Sequence, residues 1–263
     1  MQPIRLFSIA VAALVLLTAP AARAMDLYWE SKTVTALNYD GKTEQMSSGR
    51  QSYSLKDNLL RVDDTGKRRY RIYNFHQRTA VLVDLEAGMF AEVSFRQMAR
   101  RVRNERDRVK KSLQQKEKTL SSLPPEAKNK TAAKIHAQRK KYNLWGRRYR
   151  VRKTEERKTV SGHPCVKYEG LSGDQVFQEI WVAEDIKIDR HYKVYYARGM
   201  KTIDPQEGSH LGRLPGFPMK VITHYGSVTV TEEMTHVSEH KIPAKAFLLP
   251  EELKPADSSF KPY

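Results

Sequence analysis

The chain has 263 residues, of which 47 are Lys or Arg and 30 are Asp or Glu, which gives a formal net charge of +17. Its sole cysteine, Cys165, excludes an intrachain disulfide, so the fold must depend on a hydrophobic core, and a chain of this length can bury one. Residues 96–153 carry 21 Lys or Arg and 4 Asp or Glu, a surplus that equals the whole net charge. The composition therefore excludes a uniformly basic protein and indicates a near-neutral domain with one cationic segment.

Residues 1–24 have the pattern of a cleavable signal peptide. Arg5 precedes an apolar run from Leu6 to Ala19, and Ala22 and Ala24 supply the small residues of a cleavage site. The run is shorter than the roughly 20 apolar residues that a transmembrane helix needs, and a retained anchor is the alternative. No cysteine directly follows the cleavage site, which argues against a lipid anchor there. We therefore expect export, cleavage near Ala24 and a periplasmic location.

The first part of the expected mature chain predicts a β-meander. Short segments rich in Tyr, Val, Thr and Ile follow one another from Met25 to Val93, and turn signals such as Asp40-Gly41 separate them. Because no helical period interrupts these segments, we expect antiparallel strands joined by tight turns.

The hydrophobic period changes to 3.6 residues after Ser94, which is a predicted helix N-cap. Apolar residues recur at helical spacing from Phe95 to Leu120, Pro124-Pro125 ends this helix, and a second helix extends to about Trp145. The two helices predict a basic α-helical hairpin that spans residues 95–146 and is inserted into the β-domain.

After Gly146 the pattern returns to strands, which are interrupted by one helix that begins near Asp189. This helix carries an aromatic stripe, and the next strand begins with Phe217. These residues have two interpretations: they belong to a packed core, or they line an apolar cavity. Both remain open because a filled and an open barrel present the same inward-facing pattern. The candidate ligand-lining residues are Tyr192, Tyr195, Tyr196, Met200 and Phe217.

Four segments carry a family resemblance when they are taken together and in order. They are Leu123-Pro124-Pro125-Glu126, Val160 to Tyr168, Gly216 to Lys220 and Ile242 to Phe247. In this order they resemble an uncharacterised family of exported bacterial proteins that is defined as a domain of unknown function. The resemblance covers most of Met25 to Pro250. It implies a fold similar to that of the periplasmic lipoprotein carriers, whose apolar lining holds acyl chains, and it brings no catalytic residues.

The predicted fold class is therefore α+β: an open antiparallel β half-barrel around helices, with an inserted basic α-helical hairpin. We expect one domain over residues 25–254, which includes the hairpin at 95–146, and a polar C-terminal tail over residues 255–263.

Motifs for catalysis and metal binding are weak. His236 and His240 belong to an H-x-x-E-H pattern, which binds zinc on a helix, but the neighbouring residues have strand composition. Residues four apart on a strand stand about 13 Å apart, which is too far to share one ion. The setting of Cys165 favours a buried structural thiol, with intermolecular pairing as the alternative. The adjacent carboxylates Glu232 and Glu233 should point to opposite faces of a strand and are interpreted as solvated residues. We expect no catalytic residue, metal or cofactor.

The concentrated charge predicts a binding surface for an anionic partner, with a merely solvated helix face as the alternative. The expected partners are an anionic membrane surface, an acidic polysaccharide or an acidic protein. The expected compartment and the lack of a base-reading motif argue against nucleic acid. The sequence gives no oligomeric state. The candidate anionic-partner-binding residues are Arg100, Arg101, Arg103, Lys110, Lys111, Arg139, Lys140 and Lys141.

Three functional hypotheses follow. The first is a non-enzymatic periplasmic binding or carrier protein that holds a lipid or other apolar ligand and docks through the cationic hairpin. The second is an envelope interaction or scaffold protein that has no small ligand and binds an acidic protein or polysaccharide. The third is a hydrolase whose site is assembled across the sheet from residues distant in sequence.

Overall fold

The computed structural model describes residues 26–144, 149–188, 190–203 and 213–256, so the predicted signal peptide lies outside the described residues. The strands are β1 (Leu27–Tyr39), β2 (Lys42–Lys56), β3 (Leu59–Asp64), β4 (Arg69–Asn74), β5 (Thr79–Asp84), β6 (Met89–Ser94), β7 (Tyr149–Val160), β8 (His163–Ser172), β9 (Gln175–Ala183), β10 (Phe217–Tyr225), β11 (Val228–Glu239) and β12 (Lys254–Pro255). The α-helices are α1 (Phe95–Thr119), α2 (Pro125–Leu144) and α3 (Arg190–Ile203).

The described strands form one sheet in the order β12-β6-β5-β4-β3-β2-β1-β11-β10-β9-β8-β7. Every neighbouring pair is antiparallel except β12 and β6, which are parallel. The strands β1 to β6 form one meander. The strands β7 to β11 form a second meander, in which α3 lies between β9 and β10, and the pairing of β1 with β11 joins the two. The strands β12 and β7 remain as the two edges of an open sheet.

Local sequence explains the turns and the start of the first helix. Asp40 and Gly41 both have positive φ angles, of 48° and 72°, which is the conformation that a two-residue hairpin turn requires. The side chain of Ser94 accepts a hydrogen bond from the Gln97 N–H at 3.2 Å, and the Gln97 side chain accepts one from the Ser94 N–H at 2.7 Å. This reciprocal capping box confirms the predicted N-cap.

The main hydrophobic core lies between one face of the sheet and the helices α1 and α3. The sheet contributes alternate residues such as Leu27, Leu55 and Val62, while Phe95 comes from α1 and Met200 from α3. We call this side of the sheet the helix-covered face. Because side chains on a strand alternate between faces, each strand contributes every second residue to this core.

The helix α2 is tied to one end of the sheet through the turns that connect its strands. The Asn129 side-chain amide donates to the Asp40 carboxylate at 3.0 Å, and Lys130 pairs with Glu44. The Ser227 hydroxyl, in the turn between β10 and β11, donates to a carbonyl of α2 at 3.0 Å. These contacts hold α2 across the ends of β1, β2, β10 and β11.

The predicted α+β class with a large, open and mainly antiparallel sheet is confirmed in this coarse form. One local expectation differs from the structure, since Pro255, at the start of the predicted tail, belongs to β12. The Ala256 N–H donates to the Phe90 carbonyl at 2.7 Å, so backbone hydrogen bonds continue the sheet into this polar segment. No helix within the described residues is both long and apolar enough to span a bilayer.

Candidate ligand cavity

A cavity of about 490 Å³ lies on the helix-covered face, between the sheet and α3. This volume is in the range of pockets that bind small molecules. Strands of both meanders contribute residues to the cavity wall. Within a strand these residues alternate, because successive side chains point to opposite faces of the sheet. The lining residues are Leu27, Trp29, Thr33, Gln51, Tyr53, Leu55, Leu60, Val62, Arg71, Tyr73, Lys141, Gln178, Ile188, Tyr196, Met200, Phe217, Pro218, Val221, Thr223, Tyr225, Val230, Glu232 and Met234.

Aromatic rings form a rigid part of the cavity wall. Trp29 and Tyr53 stack with ring centroids 4.7 Å apart and planes within 6° of parallel. Phe217 meets Trp29 edge-on, at 5.5 Å between centroids and 75° between planes. Such pairs restrict the orientation of each other's rings, so these three side chains form a packed section of the wall.

Three of the five predicted lining residues, Tyr196, Met200 and Phe217, lie in the cavity wall. The side chains of Tyr192 and Tyr195 lie outside the described part of the structure. That these residues bind a ligand stays a prediction, because their position shows only that they border the space.

The sequence interpretation missed the wall that β1, β2 and β11 contribute. Trp29 and Tyr53 occupy alternating positions in their strands, and that alternation is the signal that could have found them. Glu232, which we interpret from the sequence as a solvated residue, is partly buried and lines the cavity on the same face as Val230 and Met234. Its neighbour Glu233 points to the other face, as predicted, and pairs with Lys220 at 2.6 Å.

The Glu232 carboxyl is partly buried in the cavity wall. Burial raises its pKa above the ordinary value, while the hydroxyls of Ser31 and Tyr53 act in the opposite direction with a smaller effect. The Tyr53 O–H lies 3.3 Å from the carboxyl, whereas the Ser31 hydroxyl is near but outside good hydrogen-bond geometry. Burial is also the main cause that raises the pKa of Tyr53, which therefore stays protonated near neutral pH.

A second polar group closes another part of the wall. The Tyr149 O–H donates to the Gln178 side-chain carbonyl at 2.8 Å, and the Gln178 amide donates to the Thr223 hydroxyl at 3.0 Å. These groups satisfy one another, so they form a fixed polar boundary. Lys141, from α2, lies at the cavity with its ammonium 5.6 Å from the Tyr225 ring centroid.

The predicted anionic-partner-binding residues divide into two sets. Arg100, Arg101, Arg103, Lys110 and Lys111 are exposed on α1. On α2, Arg139 pairs with Glu117, Lys140 is half-buried, and Lys141 lies at the cavity. Arg139 and Lys141 are exposed as well, so both helices contribute to the cationic surface, and α1 carries more of the predicted residues.

Six exposed cations of α1 recur at helical spacing beside the face that buries Phe95, Ala99 and Leu113. This surface, which we call the cationic stripe, consists of Arg96, Arg100, Arg103, Lys110, Lys111 and Lys118, all of which are exposed.

The residues considered for catalysis are in different settings. Cys165 is buried, and desolvation raises the pKa of its thiol to about 11, so the reactive thiolate is suppressed. His236 lies in the strand β11 and His240 follows its end, with the Tyr28 ring between them at 6.0 Å and 5.7 Å. In the described ranges, no group of three His, Cys, Asp or Glu residues is arranged to hold a metal ion.

Comparison with solved structures gives weak similarities over most of the chain. An uncharacterized conserved protein from Thermus thermophilus aligns with 87% of this chain and 90% of its own, at 7% identity and a TM-score of 0.41. A LolA superfamily protein from Nitrosomonas europaea aligns with 86% of this chain and 91% of its own, at 8% identity and a TM-score of 0.32. A DUF1329 family protein from Desulfovibrio piger aligns with 89% and 93%, at 10% identity and a TM-score of 0.32. TM-scores at this level do not establish a shared fold.

Comparison of sequences gives a firmer result. No curated protein matches the chain. A family described as a domain of unknown function, DUF4412, matches residues 90–253, which is more than half of the chain. The matched range begins in β6, includes α1 to α3 and ends just before β12. The expected membership in a family of unknown function is thereby confirmed, and the chain belongs to the DUF4412 family.

Proposed function

We propose that this protein is a non-enzymatic binding or carrier protein of the cell envelope that holds a lipid or another apolar ligand in the cavity on the helix-covered face. The observation that carries the proposal is the cavity of about 490 Å³. The space opens partly to solvent and is large enough to admit a small apolar molecule.

The cavity wall supports the chemical class of the ligand. Leu27, Trp29, Leu60 and Phe217 are buried or nearly buried and present apolar surface to the space. Transfer of apolar surface from water into such a space contributes about 25 cal/mol per Å². Polar side chains such as Gln51, Arg71 and Thr223 also line the space, and they would orient the polar part of an amphiphilic ligand.

The cationic stripe on α1 supports docking on an anionic membrane surface. A basic residue near an anionic bilayer contributes about 1 kcal/mol, and salt screens this attraction over about 10 Å. The stripe lies outside the core, so docking and ligand binding use different residues. Export of the chain to the periplasm is part of the same proposal and depends on the predicted signal peptide.

Ligand binding is tested by native mass spectrometry of protein purified from the periplasm, followed by solvent extraction. We expect a co-purified lipid-sized mass. Val230→Phe places a ring in the cavity and should abolish that mass. The matched control Thr229→Phe adds the same ring to the adjacent position of β11, which points away from the cavity, and should retain it. A clean apo mass for the wild-type protein under gentle conditions would contradict ligand binding.

Docking is tested by sedimentation with vesicles of anionic or zwitterionic lipid. Reversal of four stripe charges, in Arg100→Glu, Arg103→Glu, Lys110→Glu and Lys111→Glu together, should weaken binding to anionic vesicles by at least about a thousandfold, from about 1 kcal/mol per charge. The control reverses four exposed lysines outside the stripe and changes the net charge equally. These control positions are Lys42, Lys67, Lys241 and Lys245. Equal losses in both variants would contradict a specific role for the stripe.

A second candidate is an envelope scaffold that binds an acidic protein or polysaccharide. The stripe favours it independently of the cavity, because its cations remain exposed whether or not a ligand is bound. An apo mass together with stripe-dependent binding to an acidic polysaccharide would support this candidate over the carrier.

A further inference from the structure

Glu232 is the sole acidic residue among the described lining residues of the cavity. It lies in the middle of the wall, where β11 is paired on both sides, opposite Thr33 of β1 and Val221 of β10. The neighbours on its own strand that share its face are Val230 and Met234, which are apolar. The carboxyl is therefore held in the cavity wall between apolar side chains of its own strand.

The carboxyl has little compensation from the protein. No ion pair involves Glu232 in the described part of the chain, whereas Glu233 on the other face pairs with Lys220 at 2.6 Å. The Tyr53 hydroxyl lies 3.3 Å from Glu232 but 2.7 Å from the Gln51 side-chain carbonyl. A hydroxyl has one hydrogen to donate, and the shorter distance indicates that Tyr53 donates it to Gln51. Glu232 is therefore left with acceptor positions that no strong donor occupies.

The two cations in the wall do not supply this compensation. Arg71 lies on β4 and acts on the pKa of Tyr53, and neither it nor Lys141 is among the groups that shift the pKa of Glu232. The hydroxyls of Ser31 and Tyr53 are the polar neighbours that lower the pKa of Glu232. The carboxyl faces the cavity with few protein donors, so a ligand that donates a hydrogen bond to it should bind more tightly than a ligand that cannot.

We propose that Glu232 is the headgroup-recognition residue of the cavity, and that the ligand is an amphiphile whose polar group donates a hydrogen bond and carries no negative charge, such as an amine or a hydroxyl. This inference depends on the proposed carrier function and specifies its ligand class. An anionic headgroup at this position would be repelled by the Glu232 carboxylate unless that carboxyl took up a proton. An ammonium or a hydroxyl would instead donate a hydrogen bond to the carboxyl.

The test is isothermal titration calorimetry of the mature protein with three probes of equal chain length, dodecylamine, dodecanol and dodecanoate, below their aggregation concentrations. We expect the amine and the alcohol to bind at least about tenfold more tightly than dodecanoate, which corresponds to about 1.4 kcal/mol. The net charge of +17 would favour the opposite order, so this preference would report the local site.

Two variants assign the preference to one carboxyl. Glu232→Gln keeps the size of the side chain and an acceptor but removes the charge, and should weaken dodecylamine about tenfold, leave dodecanol nearly unchanged and strengthen dodecanoate. Glu233→Gln makes the same change on the opposite face and should preserve the wild-type order.

The outcomes separate this inference from the proposed function. If the probes bind without the expected order, or if Glu232→Gln and Glu233→Gln behave alike, headgroup recognition by Glu232 is overturned while the carrier function stands. If none of the probes binds the wild-type protein, the carrier function itself is overturned, and the inference with it.

Discussion

Two parts of the same core differ in how completely they are filled. In one part, which we call the aromatic cluster, Phe75, Phe95 and Tyr196 pack with ring centroids 5.6–5.9 Å apart. In the other, Trp29 and Phe217 border a cavity of about 490 Å³. Both parts lie on the helix-covered face and belong to one hydrophobic cluster. The difference shows that one layer of a fold can be closely packed on one side and leave an open space on the other.

The helix α3 borders both parts. Gly199 faces the aromatic cluster, where a Cβ atom would lie 2.7 Å from carbons of both Phe75 and Phe95. Met200 and Tyr196 line the cavity. The absence of a side chain at Gly199 therefore lets the helix approach the aromatic cluster closely, and this position fixes where the helix stands relative to the cavity.

The largest expected effect is on the aromatic cluster. Phe95 is 1% exposed, and Phe95→Ala should lower the free energy of unfolding by about 3–5 kcal/mol, because it removes a buried ring and leaves a void. Urea denaturation measures this change. A loss below about 1 kcal/mol would show that this part of the core is as loosely packed as the cavity.

A smaller loss is expected for Gly199→Ala. Helix propensity alone would stabilise this variant by about 1 kcal/mol, but a methyl group in contact with two rings costs about 1–3 kcal/mol. We therefore expect net destabilisation, measured by thermal unfolding. The double variant with Phe75→Leu should recover part of the loss, because it gives the methyl group room, and additive effects would argue against direct contact.

On the cavity side, the same kind of enlargement should be tolerated. Val230→Phe fills existing space, so its free energy of unfolding should change by less than about 1.5 kcal/mol while ligand binding is lost. Thermal unfolding of delipidated protein measures the first quantity and native mass spectrometry the second. Destabilisation as large as that of Phe95→Ala would mean that the space is not available to a side chain.

The smallest expected effect is on the pH dependence of stability, since it comes from one carboxyl. The pKa of Glu232 is raised in the folded state, so its contribution to stability is present below the ordinary pKa of 4.5 and is lost as pH rises through the raised value. Glu232→Gln should therefore be more stable than the wild type near neutral pH. Urea titrations across this range, with Glu233→Gln as control, measure the difference, and parallel curves for Glu232→Gln and the wild type would contradict a buried carboxyl.

Local features of the fold could be predicted where the cause is local. The Asp40-Gly41 turn and the Ser94 cap depend on a few neighbouring residues, and the structure has both. The face of Glu233 followed from strand alternation. The burial of Glu232 did not, because alternation says which residues share a face but not which face is covered. The available sequence signal was that Glu232 shares one face of its strand with the apolar residues Val228, Val230 and Met234.

Patterns in the sequence predicted the succession of strands and helices and the concentration of net positive charge in one segment, because both depend on residues near one another in the chain. The order of four short segments indicated the family of unknown function. The three-dimensional structure was needed to show that β1 pairs with β11, that the polar segment at Lys254 adds a parallel strand, and that Glu232 faces the cavity. These features require residues far apart in the chain to meet, as Tyr53 and Glu232 do across 179 positions. Such contacts arise from the packing of the whole sheet against its helices, and no local pattern specifies them.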